Sequence, residues 1–437
     1  MFSDPFVTGL LGLAAMFALI VLQVPVGIAM GLTGVVGCGL IIGFGPALTL
    51  LATEPSSAMS SEGYAVIAMF LLMGNFAHVG GLSRELYKLA YVYLGHLRGG
   101  LVFATVGACA GFGAICGSSV ATAATMARIA LPEMLERGYA KSLAAGSIAA
   151  GGTLGMIVPP SVVMILYGIL TENSIIALFL AAIVPGVIAV VFYFIAVFIV
   201  VRRNPEAAPV GEKAPWAQRR RVTIQSWAVV LLAVMVSGGI YSGIFTVSEA
   251  ASVGASVALL LAIFRRRLTV KNFLAALGDT AANTGMIFVM IIGASVFSYF
   301  ATLSGLPAAT VDWIQGLGLP PFLVLMLLMV FYLILGAIFD TIAAMVLTLP
   351  FVYPLILGLG YDPVWWGVVN IVVIELGMIT PPIGINVFVL HGMAKDLPLS
   401  TIFRGVVPFI FADVARLVVL ITFPALSLWL PGAMGWL

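Results

Sequence analysis

Two seven-residue stretches of this sequence carry groups able to hold an ion in a nonpolar medium. Leu154-Gly155-Met156-Ile157-Val158-Pro159-Pro160 recurs 222 positions later as Leu376-Gly377-Met378-Ile379-Thr380-Pro381-Pro382. In each, glycine loosens a helix and Pro-Pro removes two backbone donors. The carbonyls freed by such a break suit a hard cation such as Na⁺. Two clusters supply further ligands: Cys116-Gly117-Ser118-Ser119 with Thr122, and Phe339-Asp340-Thr341. Each cluster is expected to complete one cation site with one break. The first site comprises Gly117, Ser118, Ser119, Thr122, Gly155 and Val158. The second comprises Gly336, Asp340, Thr341, Gly377, Ile379 and Thr380. N–H groups at the starts of half-helices would face an anionic substrate between the clusters. Ser119, Ser161, Asp340 and Asn386 are the expected substrate contacts. The competing readings are small-residue helix packing for the serines and threonines, local hydrogen bonding for Asn386, and backbone capping for Asp340.

Clusters of this kind need a medium and a frame. Of 437 residues, 62% are hydrophobic and 8% charged, with a net charge of +2; mean hydropathy is +1.20. An average soluble domain has roughly 25% charged residues, so the chain belongs in a bilayer. The charge balance gives no reason to expect nucleic acid. Cys38, Cys109 and Cys116 all lie in apolar stretches, without metal or redox spacing. The apolar start has no basic segment before it and reads as mature membrane helix rather than a cleaved signal.

An apolar helix needs about 20 residues to span. Ten candidates follow: 6–24, 26–46, 63–81, 142–170, 175–201, 226–244, 247–264, 281–302, 364–391 and 405–430. Two further apolar blocks, 100–136 and 320–356, have small polar residues and glycines at their centres. Arg84, Lys88, Arg98, Arg128, Arg137, Lys141, Arg202, Arg203, Lys213, Arg219–Arg221, Arg265–Arg267, Lys271, Lys395 and Arg404 all face one side if spans alternate. The other side has Glu54, Glu62, Glu172, Glu249, Asp312 and Asp362. The basic side is then cytoplasmic, and both termini face outward. This holds only if 100–136 and 320–356 are re-entrant hairpins opening to opposite sides. The clusters above are their tips.

The offset of the two breaks recurs elsewhere. Gly138-Tyr139 and Pro132 match Gly360-Tyr361 and Pro354 at the same spacing, and Gly113-Ala114-Ile115 matches Gly336-Ala337-Ile338 with one residue of slip. Each half has five spans and one hairpin, and an odd number of spans inverts the second copy. The fold class expected is an all-α integral membrane protein of inverted-topology repeats, about ten spanning helices plus two hairpins. The first repeat is 1–201, with helices 6–81, an arm at 82–98, hairpin 100–136 and helices 142–201. A cytoplasmic linker covers 202–224. The second repeat is 225–437, with helices 226–302, hairpin 320–356 and helices 364–430. Segment 82–98 is amphipathic, with Leu82, Leu86, Leu89, Tyr93, Leu94 and Leu97 on one face. It and a shorter counterpart at 307–316 are expected to lie flat before each hairpin, as arms.

Other ionisable residues weigh less. Glu375 lies deep in its span, with scaffold and transport roles both open. Asp413 and Arg416, at i and i+3, read as a structural ion pair. His78, His96 and His391 are too scattered for a metal.

At Gly117-Ser118-Ser119-Val120-Ala121-Thr122, Gly155 to Ser161 and Glu375 to Asn386, the chain resembles the large membrane subunit of tripartite ATP-independent periplasmic (TRAP) transporters. The resemblance spans nearly the whole chain. It implies an elevator-type transporter of the bacterial inner membrane that takes up organic acid anions with Na⁺, two or more ions being expected. It implies a small four-helix membrane subunit as a separate chain, and a periplasmic substrate-binding protein. It also implies sodium sites at the tips and breaks. A stand-alone sodium/anion symporter or ion antiporter of related hairpin fold is the alternative. An intramembrane serine enzyme using Ser118 or Ser119 is disfavoured, since no Gly-x-Ser-x-Gly elbow exists. A channel fits two inverted repeats less well.

Overall fold

The protein is described here by a computed structural model covering residues 4–437. The first stretch of helices is α1 (Pro5–Val21), α2 (Val26–Ile42), α3 (Phe44–Ser60), α4 (Glu62–Val79) and α5 (Leu82–Leu94). Next come α6 (Gly100–Cys116), α7 (Ser119–Glu136), α8 (Lys141–Ile157), α9 (Val162–Leu170) and α10 (Ile175–Arg203). Then follow α11 (Trp216–Gln225), α12 (Trp227–Ala233), α13 (Gly239–Tyr241), α14 (Val247–Phe264), α15 (Val270–Ser304) and α16 (Leu306–Gly316). The chain ends with α17 (Pro321–Ile338), α18 (Thr341–Gly358), α19 (Pro363–Gly377), α20 (Ile385–Met393), α21 (Leu399–Thr422) and α22 (Ala425–Ala433). The fold is all-α. Among the described residues, seven helices are long and apolar enough to cross a membrane, nine if each of two bent pairs is one span.

The expected ten spans therefore need shorter helices. Helices α1 and α2 have 17 residues each and α19 has 15. At 1.5 Å per residue they reach about 22–26 Å; α1 stops before Gln23 at φ +66°, α2 at Gly43 and α19 at Gly377. Span 405–430 divides at Pro424, which lacks a donor and restricts Phe423. Segment 47–62, read as a loop, is mostly the helix α3. Its serines and threonines lower its hydropathy below that of a span, and only Ala47 and Ala58 are buried. Helix α15 begins eleven residues before the expected 281, where Thr269 caps it.

The core is built from two broken helices. Helix α8 is buried from Leu143 to Ile157 and α19 from Val364 to Gly377. Small residues let their neighbours approach. A Cβ on Gly146 would strike the Gly405 backbone, so α8 and α21 touch backbone to backbone. Gly27 of α2 meets Gly293 of α15 in the same way. Around this core, α6–α7 and α17–α18 form two helical hairpins.

A helix precedes each hairpin where the arms are expected. Helix α5 stops at Leu94 rather than 98, since Gly95 and the left-handed Gly99 interrupt it. It buries Leu82, Ser83, Tyr87 and Val92, while Tyr93 and Leu97 are exposed. The protein-facing side is thus rotated from the expected apolar stripe, which points partly outward. Helix α16 matches the counterpart before the second hairpin. The linker folds as well. Tyr139 Oη donates to the Pro209 carbonyl at 3.2 Å, the Ala140 N–H donates to Ala207 at 2.9 Å, and Arg98 pairs with Val210 in a single antiparallel bridge.

Candidate functional site

Each hairpin turns on a short non-helical tip. In the first, Gly117 takes φ +63°, a left-handed conformation that glycine adopts freely. Ser118 then caps α7, its Oγ accepting from the Ala121 N–H at 3.4 Å. In the second, Phe339 and Asp340 are extended and Thr341 opens α18. Asp340 occupies the N-cap position. Its carboxylate lies near the Ile342 and Ala343 N–H groups without closing a capping hydrogen bond.

The breaks lie where the Pro-Pro pairs place them. Helix α8 ends at Ile157, Val158 is extended, and α9 continues at an angle of 41°. Helix α19 ends at Gly377 and α20 begins at Ile385. Both Pro-Pro bonds are cis. Ser161 is fully buried beside the first break, whereas Pro381 to Ile383 of the second are exposed.

Tip and break of each half pack together, and glycines make this possible. A Cβ on Gly155 would lie 2.6 Å from Thr122 Oγ1 and 2.8 Å from the Ser118 carbonyl oxygen. One on Gly117 would lie 3.2 Å from the Pro160 carbonyl oxygen. In the second half, a Cβ on Gly377 would lie 2.6 Å from the Gly336 carbonyl carbon. Thr341 Oγ1 donates to Met378 Sδ at 3.0 Å, and the Gly384 N–H donates to the Ala337 carbonyl at 3.1 Å. The left-handed Gly384 also marks a gathering of acceptors. A Cβ there would sit 3.2 Å from the Thr380 oxygen and 3.4 Å from the Met378 oxygen.

At the candidate site, residues of the two halves meet through a buried amide. Asn386, just past the second break, donates through Nδ2 to Ser119 Oγ at 2.7 Å and to the Ala149 carbonyl at 3.2 Å. The expected substrate contacts Ser119 and Asn386 are thus neighbours. Thr122 Oγ1, Ser161 Oγ and Asn386 Oδ1 are buried and lack any hydrogen-bond partner in the protein. Buried oxygens are rarely left so. Hydroxyl and amide oxygens are hard donors, so this set fits Na⁺ chemically. Thr380 differs: its hydroxyl donates to the Leu376 carbonyl at 2.6 Å, back onto the end of α19. Val158 and Ile379 present backbone to the breaks. Asp340 forms no ion pair among the described residues.

The buried charges form a separate group. Arg416 Nη2 lies 2.8 Å from Asp413 Oδ1, as the i, i+3 spacing predicts. Tyr193 Oη donates to Asp413 Oδ2 at 2.6 Å and lies 3.1 Å from Thr153 Oγ1 of α8. Glu375 is fully buried, both carboxylate oxygens lack a partner, and Arg416 and Asp413 are the charges acting on it. Tyr193 was not foreseen, because nothing local links it to a residue 220 positions away.

These features have relatives. The family described as "Tripartite ATP-independent periplasmic transporter, DctM component" matches residues 13–426. The chain belongs to this family. A C4-dicarboxylate TRAP transporter large permease of Pseudomonas aeruginosa is 34% identical over 406 residues, covering 90% of this chain and 94% of the relative. A sialic acid TRAP large permease of Vibrio cholerae is 29% identical, covering 93% of this chain and 98% of the relative. The fold also resembles the crystal structure of the Alcanivorax borkumensis YdaH transporter. The TM-score is 0.64 at 16% identity, with 90% of each chain covered. The TRAP resemblance read from the tip and break motifs is therefore borne out. This TRAP subunit is a multi-pass membrane transporter component, not an enzyme.

Proposed function

We propose that this TRAP subunit imports an organic acid anion across the bacterial inner membrane, driven by Na⁺, through an elevator motion. A small four-helix membrane subunit, as a separate chain, and a periplasmic substrate-binding protein complete the transporter. The halves 1–201 and 225–437 act as inverted repeats about the cytoplasmic linker 202–224, with both termini periplasmic. One Na⁺ is held by the first tip and break, from Gly117, Ser118, Ser119, Thr122, Gly155 and Val158. A second is held by Gly336, Asp340, Thr341, Gly377, Ile379 and Thr380. Substrate meets Ser119, Ser161, Asp340 and Asn386 between the tips.

The observation that carries this reading is the Asn386–Ser119 bond against α8 with the unpartnered oxygens of Thr122 and Asn386, and the unpartnered Ser161 hydroxyl at the first break. Groups from both halves converge there, and their free valences call for a ligand. A bound cation would satisfy the hydroxyl oxygens, and its charge would favour an anion nearby. Coupling follows if substrate and Na⁺ each preorganise the other's ligands. Asp340 supplies a negative charge able to balance a cation at the second tip.

The test is uptake by the reconstituted complex with binding proteins loaded from a panel of dicarboxylates, sugar acids, sialic acid and sulfonates. Uptake that requires a sodium gradient and the binding protein is the expected result. Uptake independent of sodium removes the coupling. Uptake without the binding protein favours the stand-alone symporter.

A further inference from the structure

A cavity of about 520 Å³ opens at the foot of the first hairpin, lined among others by His78, Ser83, Arg84, Arg128, Arg267 and Asn272. Its walls come from the end of α4, the start of α5, the outer half of α7 and the α14–α15 junction. Arg84, Arg128 and Arg267 are exposed, and none has a salt-bridge partner among the described residues. The nearby carboxylate is already engaged: Glu85 accepts from Arg265 through both oxygens, at 2.7 and 2.9 Å. Arg267 is held by a carbonyl instead, donating to Gly80 at 3.3 Å. It lies against the left-handed Gly81, where a Cβ would strike its Nη1. The cavity thus gathers three guanidinium charges with no counter-charge.

Guanidinium groups match the planar oxygens of a carboxylate bidentately and stay charged at any physiological pH. Helix α7 links this cavity to the candidate site, with about 14 Å from Ser119 to Arg128 at 1.5 Å per residue. The cavity also lies where the first hairpin meets the helices flanking it. On the other face, a cavity of about 550 Å³ lies against α15 and α18, and Glu54 is its only charged lining residue. An anion crossing the molecule therefore meets a carboxylate at one mouth and three arginines at the other.

We propose that the three-arginine cavity is a release-side anion site, which receives a small organic carboxylate or sulfonate leaving the tips for the cytoplasm. The proposal rests on the transport direction and sidedness given above. An anionic lipid headgroup carries the same charge chemistry, so the test must separate the two sources.

The test uses the full chain assembled with its small membrane subunit, in vesicles exposing the basic face. Asn272→Cys places an exposed thiol on the rim, and the native cysteines are buried, so background labelling is low. Labelling rates are compared for an anionic sulfonatoethyl thiosulfonate and its cationic trimethylammonium counterpart. In phosphatidylcholine vesicles the anionic reagent should be favoured, and added succinate should slow it. Arg84→Gln with Arg128→Gln should lower the anionic-to-cationic ratio at least fivefold and abolish succinate protection. Both side chains are exposed and neither forms an ion pair, so assembly should persist; size-exclusion of the complex checks this. An unchanged ratio overturns the site. A preference that vanishes when phosphatidylglycerol is included assigns the cavity to lipid and overturns the release role. Labelling needs no transport, so substrate uptake is read in the same vesicles. Sodium-driven uptake with an unchanged ratio removes this site alone. Retained charge selection in a complex that imports none of the panel removes the transport reading and the release role with it.

Discussion

Ser119 and Asp340 sit on opposite tips and answer to different physics. Ser119 Oγ accepts the buried amide of Asn386, so Ser119→Ala leaves that donor with Ala149 alone. Losing one buried partner costs about 1–3 kcal/mol. If Ser119 also ligates Na⁺, the loss appears in sodium affinity. A sodium titration of uptake should show half-saturation raised roughly tenfold, about 1.4 kcal/mol, with abundance retained. Thr380→Val should raise it as well, because the Thr380 hydroxyl donates its hydrogen to Leu376 and keeps its oxygen lone pairs for a cation. Unshifted half-saturation in Ser119→Ala would return that hydroxyl to packing. For Asp340 the question is charge against shape. Asn caps a helix about as well as Asp, and Asp340 closes no capping bond here. Asp340→Asn should therefore lower uptake at least tenfold while the complex still assembles. Near-normal uptake would leave Asp340 structural and move attention to Glu375, which is buried with both oxygens unpartnered.

At the scale of elements, the hairpins work only if tips and breaks touch. Gly155 sits where any side chain would strike Thr122 and the Ser118 carbonyl. Overpacking a tight contact costs about 1–3 kcal/mol. Gly155→Ala should push the first tip off its break, abolishing sodium-dependent uptake with a smaller loss of thermal stability. Gly278→Ala, where a Cβ meets nothing, is the matched control and should leave both unchanged. Equal behaviour of the two variants would mean the tip–break contact is not functional. These tips and breaks were legible in the sequence because Gly and Pro act locally: they lack a Cβ or a donor wherever they stand. The helices α5 and α16 before the hairpins were legible from position and pattern. The Asn386–Ser119 bond was not, since it joins residues 267 positions apart and follows from packing alone. The same holds for Tyr193 and Asp413. Helix α3 was missed for another reason. Hydropathy finds helices that face lipid, and α3 is helical without being strongly apolar.

Across the whole molecule, side-chain and backbone contacts sort the loops into two faces. Arg265 binds Glu85, Arg137 donates to Tyr91 at 2.6 Å, Arg98 bridges to Val210, and the Arg219 guanidinium lies 5.6 Å from the Tyr93 ring centre. The ends of α5, α7, α10 and α14 and the linker therefore share one face, the basic one. Tyr167 donates to the Pro363 carbonyl at 2.8 Å and Asn173 to Tyr353 at 3.0 Å, which gathers the ends of α9 and α18 and the start of α19 on another. That second group holds Glu172 and Asp362 and no Lys or Arg. Lysine and arginine near span ends resist translocation, so the basic face should be cytoplasmic. Arg220 on α11 and Asp312 on α16 are both exposed and report the two sides. In intact cells, a membrane-impermeant thiol reagent should label Asp312→Cys and spare Arg220→Cys until the membrane is opened. Asp312 precedes the second hairpin as the α5 arm precedes the first, so labelling of Asp312→Cys from outside would put the two arms on opposite sides. That arrangement is what inverted repeats require. Labelling of both positions from one side would leave the hairpins paired in sequence but parallel in the membrane, and would reject the inversion on which alternating access between the tips depends.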